Sequence, residues 1–157
     1  MGRYRAVTYK VMLDLDSVCA SRPPRIVRRS ADLHAHVKPF RDSDDAGVEH
    51  VYVVYLDTAL HVIAVKSVST GNETQTLVSR KSILRDALLL GASAFAIAHN
   101  HPTGVLEPSS EDRALTRALD EAAKIVGLNF VDHIIIADPP NGSGYYSFAD
   151  NGLMKAA

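Results

Sequence analysis

Residues 94–102 read Ala94-Phe95-Ala96-Ile97-Ala98-His99-Asn100-His101-Pro102. Five small or apolar residues in succession, with no polar alternation, have the pattern of a strand covered on both faces. The strand delivers His99 at its C-terminal end, and Pro102 and Gly104 turn the chain sharply away. After a short polar loop comes Ser109-Ser110-Glu111-Asp112, from which a long helix runs to about Val126. Ala114, Leu115, Ala118, Leu119, Ala122, Ala123 and Val126 form its apolar stripe, and Gly127 stands in the stop position. A strand ending in two histidines is thus followed by a helix whose first turn carries a carboxylate.

Upstream, Val51 to Leu56 and residues 61–68 are β-rich runs separated by Asp57-Thr58-Ala59-Leu60, which reads as a hairpin. After a turn at Thr70-Gly71-Asn72, Ser79 can cap a helix through Leu90, buried by Ile83, Leu84, Ala87 and Leu88 and stopped by Gly91. Before the hairpin, Ser30 can cap a helix with Leu33, Val37 and Phe40 at helical spacing, ended by the acidic loop 42–47. Downstream, Ile134-Ile135-Ile136 is a buried strand, Pro139 to Gly144 a loop, and Tyr145 to Phe148 a short final strand. Strands alternating with helices imply a central sheet with helices packed on it, and the hairpin makes that sheet mixed.

Residues 5–14 alternate as a half-buried strand, and Pro23-Pro24 breaks regular structure, so residues 1–29 read as an N-terminal strand and basic linker and 30–157 as the compact domain. At 157 residues, 46% hydrophobic and 22% charged, one globular domain with a sizeable core is expected. No apolar run reaches bilayer length and no signal-peptide block opens the chain, so the expected setting is cytoplasmic, without a membrane. The single cysteine, Cys19, excludes an intrachain disulfide framework and a zinc site of several thiolates. The formal charge of −1 argues against a uniformly basic nucleic-acid binder, although residues 1–30 hold a local basic surplus. No sequence feature specifies an oligomeric state.

His99, His101 and Asp112 are ligand types of a catalytic zinc site that keeps its fourth position open for water. A bare His-x-His is more often two histidines that close a strand, and S-x-x-D before an apolar helix is also the pattern of a capping box. The combination shifts the balance, because Asp112 in the first helical turn can point back toward the preceding loop. Ser109 can cap and assist together. A second His-x-His, His34-Ala35-His36, is rejected: residues two apart on a helix point about 200° apart around its axis. His50 and His61 have no partner at ligand spacing, and His133, beside Asp132, reads as structural before it reads as a partner of the site. A general base is also needed, and spacing alone does not separate Glu49 from Glu73 or Glu107.

Glu49, followed at a distance by His99-Asn100-His101-Pro102 and Ser109-x-x-Asp112, resembles the JAMM signature of the MPN (JAB) metalloproteases. HNHPTG, PSSEDRALT and VDHIII are similar to the RadC-like branch of that superfamily, over roughly residues 30–154. The resemblance implies a three-layer α/β/α domain with a mixed β-sheet, related to the cytidine deaminase-like fold. It implies that His99, His101 and Asp112 bind zinc (Zn2+) and that Glu49 holds and deprotonates the water, on the strength of EHVYVVYLD. Ser109 would help to stabilise a tetrahedral oxyanion. The implied substrate is a protein or peptide, including isopeptide-linked conjugates. Two departures stand out: the helical N-terminal domain of full-length RadC-like proteins has no counterpart here, and Ser79-Arg80-Lys81 replaces the expected PRE-type turn.

Two classes of function are compatible with these features. One is a zinc metallopeptidase. The other is a DNA repair or recombination accessory, with or without metal-dependent nuclease activity, in which Arg22, Arg25, Arg28 and Arg29 contact phosphates of a nucleic acid. A solvated basic linker is the commoner account of such arginines. A nucleoside deaminase needs a Cys-x-x-Cys that one cysteine cannot supply, and the helical H-E-x-x-H motif of other metalloproteases is absent.

Overall fold

The computed structural model describes residues 26–44, 47–69, 79–137 and 144–154. The expected strand over 5–14, the Pro23-Pro24 break, the Thr70-Gly71-Asn72 turn and residues 139–143 lie outside the described residues. In chain order the elements are α1 (Ser30–Ser43), β1 (His50–Leu56), β2 (Val62–Ser69), α2 (Arg80–Leu89), β3 (Ala94–Asn100), α3 (Ser110–Ile125), β4 (Asn129–Ala137) and β5 (Gly144–Ser147).

The strands form one sheet in the order β2-β1-β3-β4-β5. Among the described strands only β3 and β4 pair in parallel, as expected where a helix, α3, connects them. The other pairings are antiparallel, so the sheet is mixed, as the hairpin implied. Alternate residues of β1 serve opposite layers. Val51, Val53 and Tyr55 pack with Ile83 and Ala87 of α2 and Leu119 and Ala123 of α3. Tyr52, Val54 and Leu56 pack with Leu33 and Val37 of α1. The fold is therefore three-layer α/β/α, and the doubly covered central strands explain their unbroken apolar runs. Among the described residues no helix is long and apolar enough to cross a membrane.

Helix ends follow local chemistry, with one correction. Ser30 does not cap α1: the cap position is Arg29, and the Asp32 carboxylate accepts the backbone N–H groups of Arg28 (3.0 Å) and Arg29 (3.1 Å). The Arg29 carbonyl accepts the Asp32 and Leu33 N–H groups, so Ser30 lies inside the first turn and its hydroxyl donates to Asp150. Ser79 caps α2 as expected, accepting from the Ser82 N–H. Ser109 caps α3, and Gly127 follows that helix at φ +72°, where glycine carries no Cβ penalty. The buried face of α3 is narrower than its apolar stripe. Asp112, Thr116, Leu119 and Ala123 face inward, whereas Ala114 and Val126 are exposed.

Ser109→Ala removes the acceptor for the Asp112 N–H and should lower the stability of the metal-free protein by about 0.5–2 kcal/mol. Denaturant unfolding checks this, and Ser109→Asn should recover most of the loss.

A register shift between β3 and β4 changes which side of the sheet the middle of β4 serves. Phe95 pairs with Phe130 but Ala96 pairs with Asp132, so Val131 is an extra residue and the alternation of β4 changes phase. Phe130 and His133, three positions apart, consequently both face the α2/α3 layer.

Candidate metal centre

β3 carries His99 and Asn100 inside the sheet, both buried. Val51 of β1 lies directly opposite His99, so His99 shares the face covered by α3. Asn100 points to the other side, where its Oδ1 accepts the His50 N–H (2.7 Å) and its Nδ2 donates to the Val48 carbonyl (2.9 Å). These two bonds tie down the chain entering β1. Continuing the β1–β3 register by two residues sets Glu49 opposite His101, on the same face as His99. Glu49 thus stands just before β1 rather than within it, half-buried, with its charge felt by His101.

From the other side comes α3. His99 Nε2 lies 3.0 Å from His101 Nε2 and 3.1 Å from Asp112 Oδ1, and His101 Nε2 lies 3.5 Å from Asp112 Oδ2. Capping and convergence are not alternatives for Asp112. Its Oδ2 accepts from the Ser109 N–H (2.8 Å) and the Ser109 hydroxyl (2.6 Å), while Oδ1 faces His99. Ser109, exposed itself, reaches the cluster through this carboxylate.

The electrostatics are those of a site built around positive charge. Burial opposes ionisation of Asp112, yet the adjoining imidazoles of His101 and His99 outweigh it and hold the carboxyl far below the usual carboxylate range. His101 is held above an ordinary imidazole by its bond to Asp112, against the effect of burial, with help from the Val105 carbonyl. That carbonyl lies 2.7 Å from His101 Nδ1 and can only accept, so Nδ1 carries a proton and neutral His101 turns a bare Nε2 to the cluster. Two ring nitrogens 3.0 Å apart beside a carboxylate oxygen repel one another unless a proton or a cation lies among them. Two imidazoles and one carboxylate fit a divalent metal ion.

His133 also comes within reach: donor atoms of His99, Asp112 and His133 lie within 4.8 Å of one another. It nonetheless sits behind the convergent face. Its Nε2 is 2.8 Å from Nδ1 of His99, the nitrogen turned away from His101, and its own Nδ1 is 2.6 Å from Thr116 Oγ1. Both of its ring nitrogens are engaged away from that face, whereas His101 turns Nε2 toward His99 Nε2 and the Asp112 carboxylate. His101 Nε2 is therefore better placed than His133 to complete a candidate metal site with His99 and Asp112. His133 and Thr116 are the residues that sequence reasoning undervalued; a polar Thr116 one turn after Asp112, on the inward face of an apolar helix, was the available signal.

The other histidines are elsewhere. His34 stacks on Tyr145, and His36 is buried on α1, which packs on the opposite face of the sheet. His50 lies 3.7 Å from Asp44, and His61 pairs with Asp57 at 3.1 Å. Glu107 is exposed, and Glu73 lies outside the described residues. Arg28 and Arg29 are exposed beside α1, Arg29 pairing with Asp32, while Arg22 and Arg25 lie outside the described residues.

The profile of the RadC-like JAB domain matches residues 27–153. A UPF0758 protein of Thermotoga maritima is 32% identical over 98% of this chain and 68% of its own length. Another, from Rubrobacter xylanophilus, is 37% identical over 68% of this chain and 44% of its own. A third, from Thiobacillus denitrificans, is 46% identical over 64% of this chain and 43% of its own. These matches thus span from under half to about two thirds of each relative. With the fold, the strand-end histidines and the capping carboxylate in place, the chain belongs to the RadC-like JAB domain family.

Proposed function

We propose that this chain is a zinc-dependent hydrolase of the JAMM type that cleaves peptide or isopeptide bonds. The supporting observation is the convergence of His99, His101 and Asp112 at the junction of β3 and α3, with Glu49 set opposite His101. When bound, zinc supplies Lewis acidity that makes water nucleophilic near neutral pH. The residues supply orientation and proton handling. Glu49 accepts the proton of the attacking water and returns it to the leaving nitrogen, as a half-buried carboxylate can do when Asn100 holds the main chain on either side of it, at Val48 and His50. Asp112 brings a carboxylate to the metal position, its Oδ2 steadied by the Ser109 N–H. Ser109 contributes a hydroxyl to the developing oxyanion after releasing Asp112 Oδ2, which keeps the bond from the Ser109 N–H.

The direct test is metal analysis of protein purified under metal-replete conditions, together with assays on peptide and isopeptide-linked substrates. About one zinc per chain and chelator-sensitive cleavage are expected. Metal-free protein, or protein that binds zinc but hydrolyses no amide bond in a broad panel, overturns the reading.

A further inference from the structure

We infer that Thr116 and His133 form a hydrogen-bond relay that fixes the His99 ring with its proton on Nδ1, so that Nε2 presents a lone pair to the metal position. The consequence for metal binding rests on the reading of His99 as a ligand. The polarity of the relay does not.

Its direction is set at one end by a group that can only accept. The Thr116 hydroxyl donates to the Asp112 main-chain carbonyl at 2.7 Å, which commits its single proton. Thr116 Oγ1 is also 2.6 Å from His133 Nδ1, and with no proton left the oxygen must accept, so Nδ1 donates. His133 is completely enclosed and stacked on Phe148, with ring centroids 4.6 Å apart and planes 8° apart. Its nitrogens meet a hydroxyl and another imidazole rather than a carboxylate, so the ring is neutral and owns one N–H. That N–H is spent on Thr116, which leaves Nε2 an acceptor 2.8 Å from His99 Nδ1. His99 therefore donates from Nδ1, and its Nε2 faces His101 and Asp112 bare. Reversing any one link would set two lone pairs, or two protons, against each other inside the core. The relay starts at the main chain of Asp112 and returns to its side chain, so α3 positions one ligand directly and orients another through two intermediaries. The extra residue in β4 makes this possible by bringing His133 to the correct face. Partners of this kind on the far nitrogen of a liganding imidazole typically change metal affinity about 10–100-fold.

Thr116→Val keeps the shape and removes both functions of the hydroxyl. His133 then lowers its energy by moving its proton to Nε2, which pushes the His99 proton onto the nitrogen that should bind metal. Two measurements are decisive. In the metal-free protein at alkaline pH, where free imidazoles are neutral, nitrogen NMR of the His99 ring should show the Nδ1-protonated form in the wild type and a shift toward the Nε2-protonated form in Thr116→Val. Competition of Zn2+ against a chromophoric chelator should show affinity reduced about 10–100-fold in Thr116→Val and restored in Thr116→Ser. A purely structural Thr116 would change unfolding stability without moving the His99 proton. The relay is overturned if wild-type His99 carries its proton on Nε2, a reading that stands even if Thr116→Val does not fold, or if the folded variant keeps both the tautomer and the affinity of the wild type. Wild-type protein that binds no zinc overturns the proposed function instead, and the NMR measurement still decides the relay.

Discussion

Asp112→Ala is expected to leave the protein without stoichiometric zinc. The substitution removes one of three converging donors, so affinity should fall by more than the ~10–100-fold that loss of an outer partner produces. The remaining pair, His99 and His101, would face each other at 3.0 Å without the anion that favours a cation between them. Competition against a chelator measures the loss, and thermal unfolding gives an independent reading. A ligand that binds only the folded state at about 1,000 times its Kd adds about 4 kcal/mol of apparent stability, so zinc should raise the wild-type melting temperature and leave that of Asp112→Ala unchanged. Because Asp112 also accepts from Ser109, Asp112→Asn serves as the control. It keeps an oxygen for the Ser109 N–H while removing the charge, separating the damaged cap from the lost ligand. Asp112→Asn that binds zinc as tightly as the wild type would remove the carboxylate from the metal site.

Glu49→Gln should do the opposite: retain zinc and lose turnover. The converging donor atoms belong to His99, His101 and Asp112, so the amide substitution should change metal affinity only a few-fold. Removal of a positioned general base typically slows reaction about 10²–10⁴-fold, and that loss should fall on kcat. The backbone at this position is held from across the sheet by Asn100, so the substitution leaves the entry to β1 in place. Zinc lost along with activity would make Glu49 a ligand, and full activity with zinc bound would remove it from the proton-transfer step.

Much of the framework was legible because its signals are local. The unbroken apolar run before His99 became β3, buried at every position, and Ser79, Ser109, Gly91 and Gly127 bounded their helices as capping chemistry requires. Ser30 shows where local reading falters: the helix starts one residue earlier, with the Arg29 carbonyl accepting the Asp32 and Leu33 N–H groups and the Asp32 carboxylate accepting those of Arg28 and Arg29. On α3 the apolar stripe overstated the buried face, since small residues such as Ala114 fit the period without being covered, whereas Asp112 and Thr116 are covered without being apolar.

By itself the sequence determined the candidate donors and the unit that carries them: two imidazoles at the end of a buried strand, and a carboxylate and serine at the start of the next helix. Those features depend on neighbours within a few turns of chain, so periodicity and capping are enough to read them. Only the tertiary structure decided which atoms converge. Extended by two residues, the antiparallel register of β1 on β3 sets Glu49 opposite His101, and that register joins strands some fifty residues apart and is set by packing on both faces. His133 lies behind His99 because one extra residue in β4 changes which side of the sheet it faces. A one-residue change of phase reverses every side chain beyond it, and a pairing between distant strands leaves no mark within either strand alone.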